Sequence, residues 1–288
     1  MWARGGRADR QHDGDEPYPG FKGKYFSMPV RNVVPKPLQK PHPPIWVACC
    51  RARDHPCRGA QLGIGALTFA FVDPAEAGKW AHEYYEIIKS DECVPIGHTV
   101  NANVAMVTGF SCHEDARRGA RRGAEGFQFF GYSLGHYYVY GHHQPGVTDV
   151  WQRFEAAKDK LPAGRAGQRH RHAGRAAPSI CASYQDAGVD QVVFIQQGGR
   201  NKHEHICESL NLFAAKVMPA LKADQAARDA KKQAELAPFI EAALKRKKRM
   251  APVAPSAVPD GLGLRPHHRA GEPDRRGPDA PYRGRHHR

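Results

Sequence analysis

The chain has 288 residues, of which 41% are hydrophobic and 9% aromatic, enough to bury a core over part of its length. No apolar run is long enough to span a bilayer, and the first residues lack the apolar segment of a signal peptide, so a cytoplasmic protein without a membrane partner is expected. Seven cysteines, an odd number without a short regular spacing, favour reduced thiols over a disulfide framework.

The formal net charge of +14 is concentrated in three basic runs, at residues 165–175, 245–249 and 265–288. Such runs can hold nucleic-acid phosphates without sequence preference. No DNA-binding motif accompanies them, and a solvated tail explains the same pattern. A nucleic-acid partner is therefore not expected.

The first 24 residues are polar and glycine-rich, and they predict a disordered leader, with order beginning near Tyr25. Residues 30–44 contain five prolines, which exclude a helix interior and favour extended backbone. The following parts are predicted along the rest of the chain: a folded region at 25–220 with an irregular insert at 162–178, a charged helix at 221–250, and a disordered basic tail at 251–288.

Four short, largely apolar segments predict strands that are buried on both faces. They lie at residues 45–48, 65–71, 100–109 and 190–195. Helical patterns separate them, beginning with a short helix at 54–62. Alternating strands and helices predict an α/β fold with a parallel sheet. Four such units make either part of a TIM-like (β/α)8 barrel or one small doubly wound sheet, and composition alone does not choose between them.

Capping patterns predict where several of the helices begin. Asp73 precedes Pro74 and an acidic residue, residues 111–114 form a capping-box pattern before a basic helix, and Asp149 precedes another helix. Asn201 is predicted to cap a later helix. The apolar positions predicted to face inward from that helix are Ile206, Leu210, Phe213 and Val217.

Three segments carry a resemblance to a known family. Residues 33–48 (VVPKPLQKPHPPIWVA), 63–67 (GIGAL) and 186–191 (DAGVDQ) resemble, in this order, the C-terminal half of luciferase-like flavin-dependent monooxygenases. The resemblance runs from about residue 24 to residue 248, with a break at 162–178. It implies a TIM-like barrel and an oxidoreductase that uses reduced flavin (FMN), or in some members the deazaflavin F420, with O2 on a small organic substrate. A flavin reductase is an implied partner.

The resemblance also has a departure. The early strands of the family, including one with a catalytic histidine near the flavin, have no counterpart in this chain, so no catalytic residue is assigned. A half barrel exposes two sheet edges, which favours pairing with an N-terminal half or with another copy in an oligomer. Two alternatives to an enzyme stay open: a noncatalytic half-barrel remnant, and a basic-tailed nucleic-acid-binding protein.

The resemblance implies that the loop after the first strand holds the flavin phosphate. The candidates there are Cys49, Cys50, Arg51 and His55; Cys50 stands where the family usually has serine, and Arg51 offers a guanidinium for phosphate. A solvent-exposed basic turn explains the same residues. Four residues at the second strand are expected to approach the cofactor: Gly63, Gly65, Thr68 and Phe69. A position in the core explains Phe69 equally well.

Reasoning from the residues alone favours a different phosphate loop. Gln196-Gln197-Gly198-Gly199-Arg200-Asn201 joins the last strand to a helix, and helix N-termini attract anions. Arg200 and Asn201 are therefore further cofactor-binding candidates.

The densest cluster of aromatic and imidazole side chains lies at residues 136–143. His136, Tyr137 and Tyr140 are candidates for a substrate pocket, and helix packing before a surface turn is the alternative. His203 and Cys207 share a helix face, but a zinc site needs three or four converging ligands, so no metal is predicted.

Overall fold

The computed structural model describes residues 17–49, 54–68, 73–160, 177–248 and 250–258. The predictions for Cys50, Arg51 and Phe69, for most of the insert at 162–178 and for the tail beyond residue 258 lie outside these ranges. For His55 and Tyr140 only the backbone is described.

A parallel sheet forms the centre of the molecule, as the sequence predicts. Its strands are β3 (Trp46–Cys49), β4 (Gly65–Thr68), β5 (Val104–Gly109) and β6 (Gln191–Ile195), adjacent in that order and all parallel. The fold is α/β, and the described strands form an open four-stranded sheet. Before it, β1 (Phe21–Lys22) pairs with β2 (Ser27–Met28) in an antiparallel hairpin, so structure begins earlier than Tyr25.

Helices flank the sheet and connect its strands. In the described ranges they are α1 (Asp54–Gln61), α2 (Pro74–Lys89), α3 (Ala116–Gly135), α4 (Val150–Ala157), α5 (Ala177–Asp186), α6 (His203–Lys216), α7 (Met218–Ala223) and α8 (Gln225–Arg246). A π-helical turn, His136–Tyr140, extends α3. None of the helices in this part of the chain combines the length and apolar character needed to cross a bilayer.

The sequence predicts three helix N-termini from an acidic residue or a capping box, and two of these are confirmed. The Asp73 carboxylate accepts a hydrogen bond from the Glu76 amide at 2.9 Å, and the Asp149 carboxylate accepts one from the Gln152 amide at 2.9 Å. The prediction of a capping box at residues 111–114 is wrong. Helix α3 begins after Asp115, whose carboxylate accepts bonds from two first-turn amides and so satisfies the helix end itself.

Helix α6 departs from its prediction in two ways. Asn201 is not its cap: its Nδ2 donates to the Gln196 carbonyl at 2.8 Å, while Lys202 occupies the cap position without a side-chain bond. Leu210 is 45% exposed instead of facing inward. Ser209 takes the buried position because its hydroxyl bonds the Cys112 backbone, accepting from N at 3.2 Å and donating to O at 2.9 Å.

The two faces of the sheet have different environments. Side chains alternate along each strand, so each row of the register lies on one face. The row Cys49, Thr68, Met106 and Val192 lies on the side packed against α2, α5 and α8, which we call the helix face. The row Ala48, Leu67, Ala105 and Gln191 lies on the opposite side, the open face.

Helix α8, predicted as a charged helix at 221–250, is docked against the body of the protein. It buries Leu236 and Ala243 in the main core. At its end, the Arg246 guanidinium donates to the Ser90 carbonyl at 2.9 Å and to the Cys93 carbonyl at 3.0 Å. These carbonyls follow the last turn of α2, where a helix leaves acceptors unsatisfied, so Arg246 joins the ends of two helices.

Candidate cofactor site at the carboxyl edge of the sheet

The carboxyl ends of the four parallel strands meet at one edge of the sheet. These ends are Cys49, Thr68, Gly109 and Ile195. In folds built from βα units, ligands bind at this edge because the connecting loops and helix N-termini converge there. The loops after β5 and β6 are described, and the candidate site is therefore built from these two.

Cys49 and Thr68 reach the edge, but their side chains point to the helix face. Both are 1% exposed. The Thr68 hydroxyl donates to the Met106 sulfur at 2.6 Å, and the Cys49 thiol lies 3.5 Å from the Val47 carbonyl. The two-residue period of a strand places them in the core. The structure thus positions both side chains away from a ligand over the open face.

Gly63 and Gly65 lie at the opposite, amino end of β4. Gly63 has φ +64° in the turn after α1, where a Cβ would come within 3.0 Å of the Pro95 ring. At Gly65 a Cβ would lie 2.5 Å from the Trp46 ring. These glycines permit close packing of neighbouring segments, and they lie at the amino edge of the sheet, away from the carboxyl ends of the strands.

The loop after β6 is held tightly against α3. A Cβ on Gly126 of α3 would lie 2.2 Å from the Gly198 carbonyl oxygen and 2.3 Å from Asn201 Oδ1. The helix backbone at Gly126 therefore touches both the loop backbone and the Asn201 side chain. Gly199 has φ +64°, a conformation that favours glycine, and it turns the loop back toward α6.

Arg200 follows this turn and stacks on an aromatic ring. Its guanidinium carbon lies 4.9 Å from the centroid of the Trp151 ring, a cation–π geometry. Trp151 in turn packs against Phe129 and Phe154, with centroid separations of 4.8 and 5.4 Å. Phe154 is fully buried, so this aromatic cluster of α3 and α4 fixes the position of the Trp151 ring that the exposed Arg200 contacts.

The same loop leads directly into the N-terminus of α6. Within the described residues no side chain caps the first turn of this helix, so its amide groups stay available to an external acceptor. The cationic Arg200 and Lys202 flank this end of the helix, and the negative charge of Glu204 in the first turn partly offsets their positive charge. Helix amides with a neighbouring guanidinium are donors suited to a phosphate group.

His136, Tyr137 and His143 form a separate ring cluster. The His136 ring lies 5.2 Å from that of Tyr137 and 5.7 Å from that of His143. His136 is 1% exposed, and burial, together with the charges of Arg153 and His143, lowers its pKa. Tyr137 is 57% exposed, so the cluster has a buried and a solvent-facing side.

The cluster at His136 stands apart from the loop after β6. Phe127 of α3 packs at the end of β5, where a Cβ on Gly109 would be 2.4 Å from its ring. His136 comes nine residues later, about 14 Å further along the helix axis. Tyr140, the third candidate of this cluster, is described only as backbone.

His203 and Cys207 are close, as their helical spacing predicts. His203 Nε2 lies 3.4 Å from the Cys207 sulfur. Across the described ranges, no group of three His, Cys, Asp or Glu side chains is arranged to hold a metal ion.

A cavity of about 1130 Å³ opens on the helix face between α2, α5 and α8, away from the candidate site. Lys232, Asp190, Asn103 and Tyr85 form a hydrogen-bonded network in its lining. Lys232 Nζ lies 2.6 Å from Asp190 Oδ1 and 2.9 Å from Asn103 Oδ1, and the Tyr85 hydroxyl donates to Asp190 Oδ2 at 2.5 Å. This network joins α2 and α8 to the amino end of β6, where residues of parallel sheets serve stability.

Comparison with known proteins gives distant structural likenesses only. No protein-family model matches the sequence, and no curated protein matches it. The monooxygenase RslO1 from Streptomyces bottropensis is 16% identical over 75% of this chain and 58% of its own, with a TM-score of 0.46. An F420-dependent secondary alcohol dehydrogenase in complex with an F420-acetone adduct is 15% identical over 62% of this chain and 50% of its own, with a TM-score of 0.37.

The chain thus spans between half and three fifths of these two proteins. At such identities a similar backbone does not transfer chemistry, so a function has to be argued from this chain's own residues.

Two residues of the site were missed in the sequence. These are Trp151 and Gly126, neither of which the sequence alone marks as a binding residue. The clustering of glycines in a helix, at residues 119, 123 and 126, was a signal for close backbone contact that the sequence does offer. Nothing in the sequence pairs Trp151 with Arg200, because 48 positions separate them.

Proposed function

We propose that this chain is a flavin-dependent oxidoreductase of the luciferase-like kind, which uses reduced FMN and O2 on a small organic substrate. One observation carries the proposal: the segments that resemble this family, 33–48, 63–67 and 186–191, lead into or lie within β3, β4 and β6 of one parallel sheet. Their carboxyl ends share an edge, which is where such folds hold a cofactor.

The cofactor phosphate is proposed to lie at the loop after β6. The Arg200 guanidinium would pair with the phosphate oxygens, and the first-turn amides of α6 would donate to them. Trp151 would hold the guanidinium plane, which reduces the side-chain entropy lost on binding. The loop from Cys49 to His55, favoured by the family resemblance, is the competing phosphate site, with Arg51 as its cation.

Bound reduced flavin would supply the electrons for the reaction with oxygen. The chain's own part is to bind and orient that group, and the described residues suited to this task are Arg200 and the N-terminus of α6. The deazaflavin F420 also carries a phosphate, so the same donors accommodate either cofactor. A flavin reductase is the proposed source of reduced FMN, because the described residues offer no second cofactor site of similar chemistry.

Titration of the purified full chain with FMN and with riboflavin, which lacks the phosphate, tests this proposal. We expect FMN to bind more tightly, and Arg200→Ala to weaken FMN about 10- to 100-fold, the equivalent of one charge-assisted hydrogen bond, while riboflavin is unaffected. Arg117→Ala, which removes the same charge from an exposed position of α3, is the matched control.

The outcomes separate the alternatives. A loss of FMN affinity in Arg51→Ala but not in Arg200→Ala would assign the phosphate to the loop after β3. Binding of F420 in preference to FMN would change the cofactor and keep the site. If neither cofactor binds, the oxidoreductase proposal fails, and a noncatalytic half barrel, which the exposed edges of the open face favour, becomes the better account.

A further inference from the structure

His203 and Cys207 form a side-chain pair that the proposed cofactor chemistry does not use. They lie one turn apart on α6, and the Cys207 sulfur is 3.4 Å from His203 Nε2 and 4.0 Å from His203 Nδ1. At the shorter distance the thiol can donate its proton to the ring nitrogen. A nucleophile with a base in hydrogen-bond reach is the arrangement that activates a thiol for attack.

The charges around the pair suit a negatively charged sulfur. Arg200 and Lys202 lie at the N-terminal end of the same helix, and Glu204 offsets only part of their charge. The acid next to the cysteine in sequence, Glu208, is engaged with another helix, because its carboxylate pairs with the Arg122 guanidinium of α3. Cations and helix N-termini are the surroundings in which protein thiols become reactive.

Most other cysteines in the described ranges are shielded from solvent. Four of them are buried: Cys49, Cys93, Cys112 and Cys181. Burial raises the pKa of the Cys93 and Cys181 thiols to about 11, so both are protonated at neutral pH. Cys57 and Cys207 are partly exposed, and Cys207 is a free thiol. A reagent in solution can therefore reach the sulfur that lies beside His203.

We infer that Cys207 is a site of thiol–disulfide exchange with a small-molecule disulfide, activated by His203. The imidazole takes the thiol proton, and the sulfur attacks one sulfur of the reagent. A new S–S bond forms at Cys207, the original S–S bond breaks, and the departing thiolate takes up the proton from His203. The disulfide is itself the two-electron acceptor, so the exchange needs no further oxidant.

The attached group should persist and affect the end of α6. Cys112 is the cysteine whose backbone bonds this helix, through Ser209, and burial raises the pKa of its thiol, so it is a poor nucleophile for displacing the group. Cys207 lies about 6 Å along the axis from His203 in the first turn. An acidic adduct there would compete with the cofactor phosphate for the same cations, a consequence that rests on the proposed function.

Incubation of the full chain with oxidised glutathione, followed by peptide mass mapping, measures the exchange. At neutral pH we expect His203→Gln to slow modification of Cys207 about 10-fold, because an unassisted thiol is only a few per cent ionised there. His205→Gln is the matched control, since it removes the same ring two positions away on the other side of α6, and the rate should not change. At about pH 9.5, above the usual pKa of a thiol, all three proteins should react at similar rates.

Three results would overturn the inference: no adduct at Cys207 of the unmodified chain, equal rates for this chain and His203→Gln at neutral pH, or a defect of His203→Gln that persists at about pH 9.5. The last would indicate altered access to the sulfur instead of a lost base. Equal helical content by circular dichroism verifies the fold of each variant. Mass mapping uses no flavin, so a chain that exchanges at Cys207 but binds no FMN would refute the proposed function and leave the exchange site intact.

Discussion

Two glycines in helix interiors should respond to the same substitution with opposite sign. In Gly78→Ala, the new Cβ on α2 would lie at least 3.5 Å from the nearest atoms, which belong to Ala187. That separation is ordinary van der Waals contact. Alanine is about 1 kcal/mol more favourable than glycine inside a helix, so we expect Gly78→Ala to raise the free energy of unfolding by about 0.5 to 1 kcal/mol.

In Gly126→Ala, the new Cβ would lie 2.2 Å from the Gly198 carbonyl oxygen and 2.3 Å from Asn201 Oδ1. Overpacking typically costs about 1 to 3 kcal/mol, and a backbone neighbour that cannot rotate away favours the upper end. Displacing Asn201 also breaks its bond to the Gln196 carbonyl, about 1 kcal/mol. After the gain in helix propensity, the expected net loss is about 3 kcal/mol.

Urea unfolding followed by circular dichroism measures both variants against the unmodified chain. Gly126→Ala should also weaken FMN binding, because the loop at residues 196–201 must shift, while Gly78→Ala should not. Equal stabilisation by the two substitutions would refute the close contact between α3 and the loop after β6, and with it the packing that positions Arg200.

Three further expectations concern stability and reactivity. Backbone hydrogen bonds hold the pKa of Asp115 below its usual 3.8. The stabilisation by its carboxylate is therefore complete above pH 3.8 and is lost as the pH falls through the folded-state pKa. The difference in unfolding free energy between the unmodified chain and Asp115→Ala should accordingly shrink below pH 3.8. Lys232→Met leaves a partly buried carboxylate without its cation, and urea unfolding should show a loss of about 1 to 2 kcal/mol. Burial raises the pKa of the Cys93 and Cys181 thiols to about 11, so iodoacetamide at neutral pH should label the more accessible Cys57 before either of them, as peptide mass mapping would show; early labelling of Cys93 would contradict its burial.

The sequence predicts the sheet well because its strands are strongly marked. Segments such as residues 45–48 and 192–195 are short and uniformly apolar, which is typical of parallel strands covered by helices. The caps Asp73 and Asp149 are local signals as well, since each side chain accepts a hydrogen bond from an amide three positions away. Strand and helix boundaries that depend on residues close in sequence are therefore predicted to within a few positions of those in the structure.

The site is predicted less well because it depends on contacts between distant segments. Which face of β4 Thr68 occupies depends on a one-residue register that a uniformly apolar strand does not reveal. Leu210 has a helical spacing suited to the core, yet Ser209 is buried because its hydroxyl satisfies the Cys112 backbone. The position of Arg200 before α6 makes it a candidate from the sequence alone, but its contact with the Trp151 ring is visible only in the folded structure.

Hydrogen exchange of the full chain, with and without saturating FMN, tests the central claim most directly. The cofactor site proposed at the carboxyl edge predicts that FMN slows exchange at residues 196–206, where the loop after β6 meets the first turn of α6, and that Arg200→Ala abolishes this protection. Unchanged exchange at these residues, or protection confined to the ring cluster at His136, would contradict it.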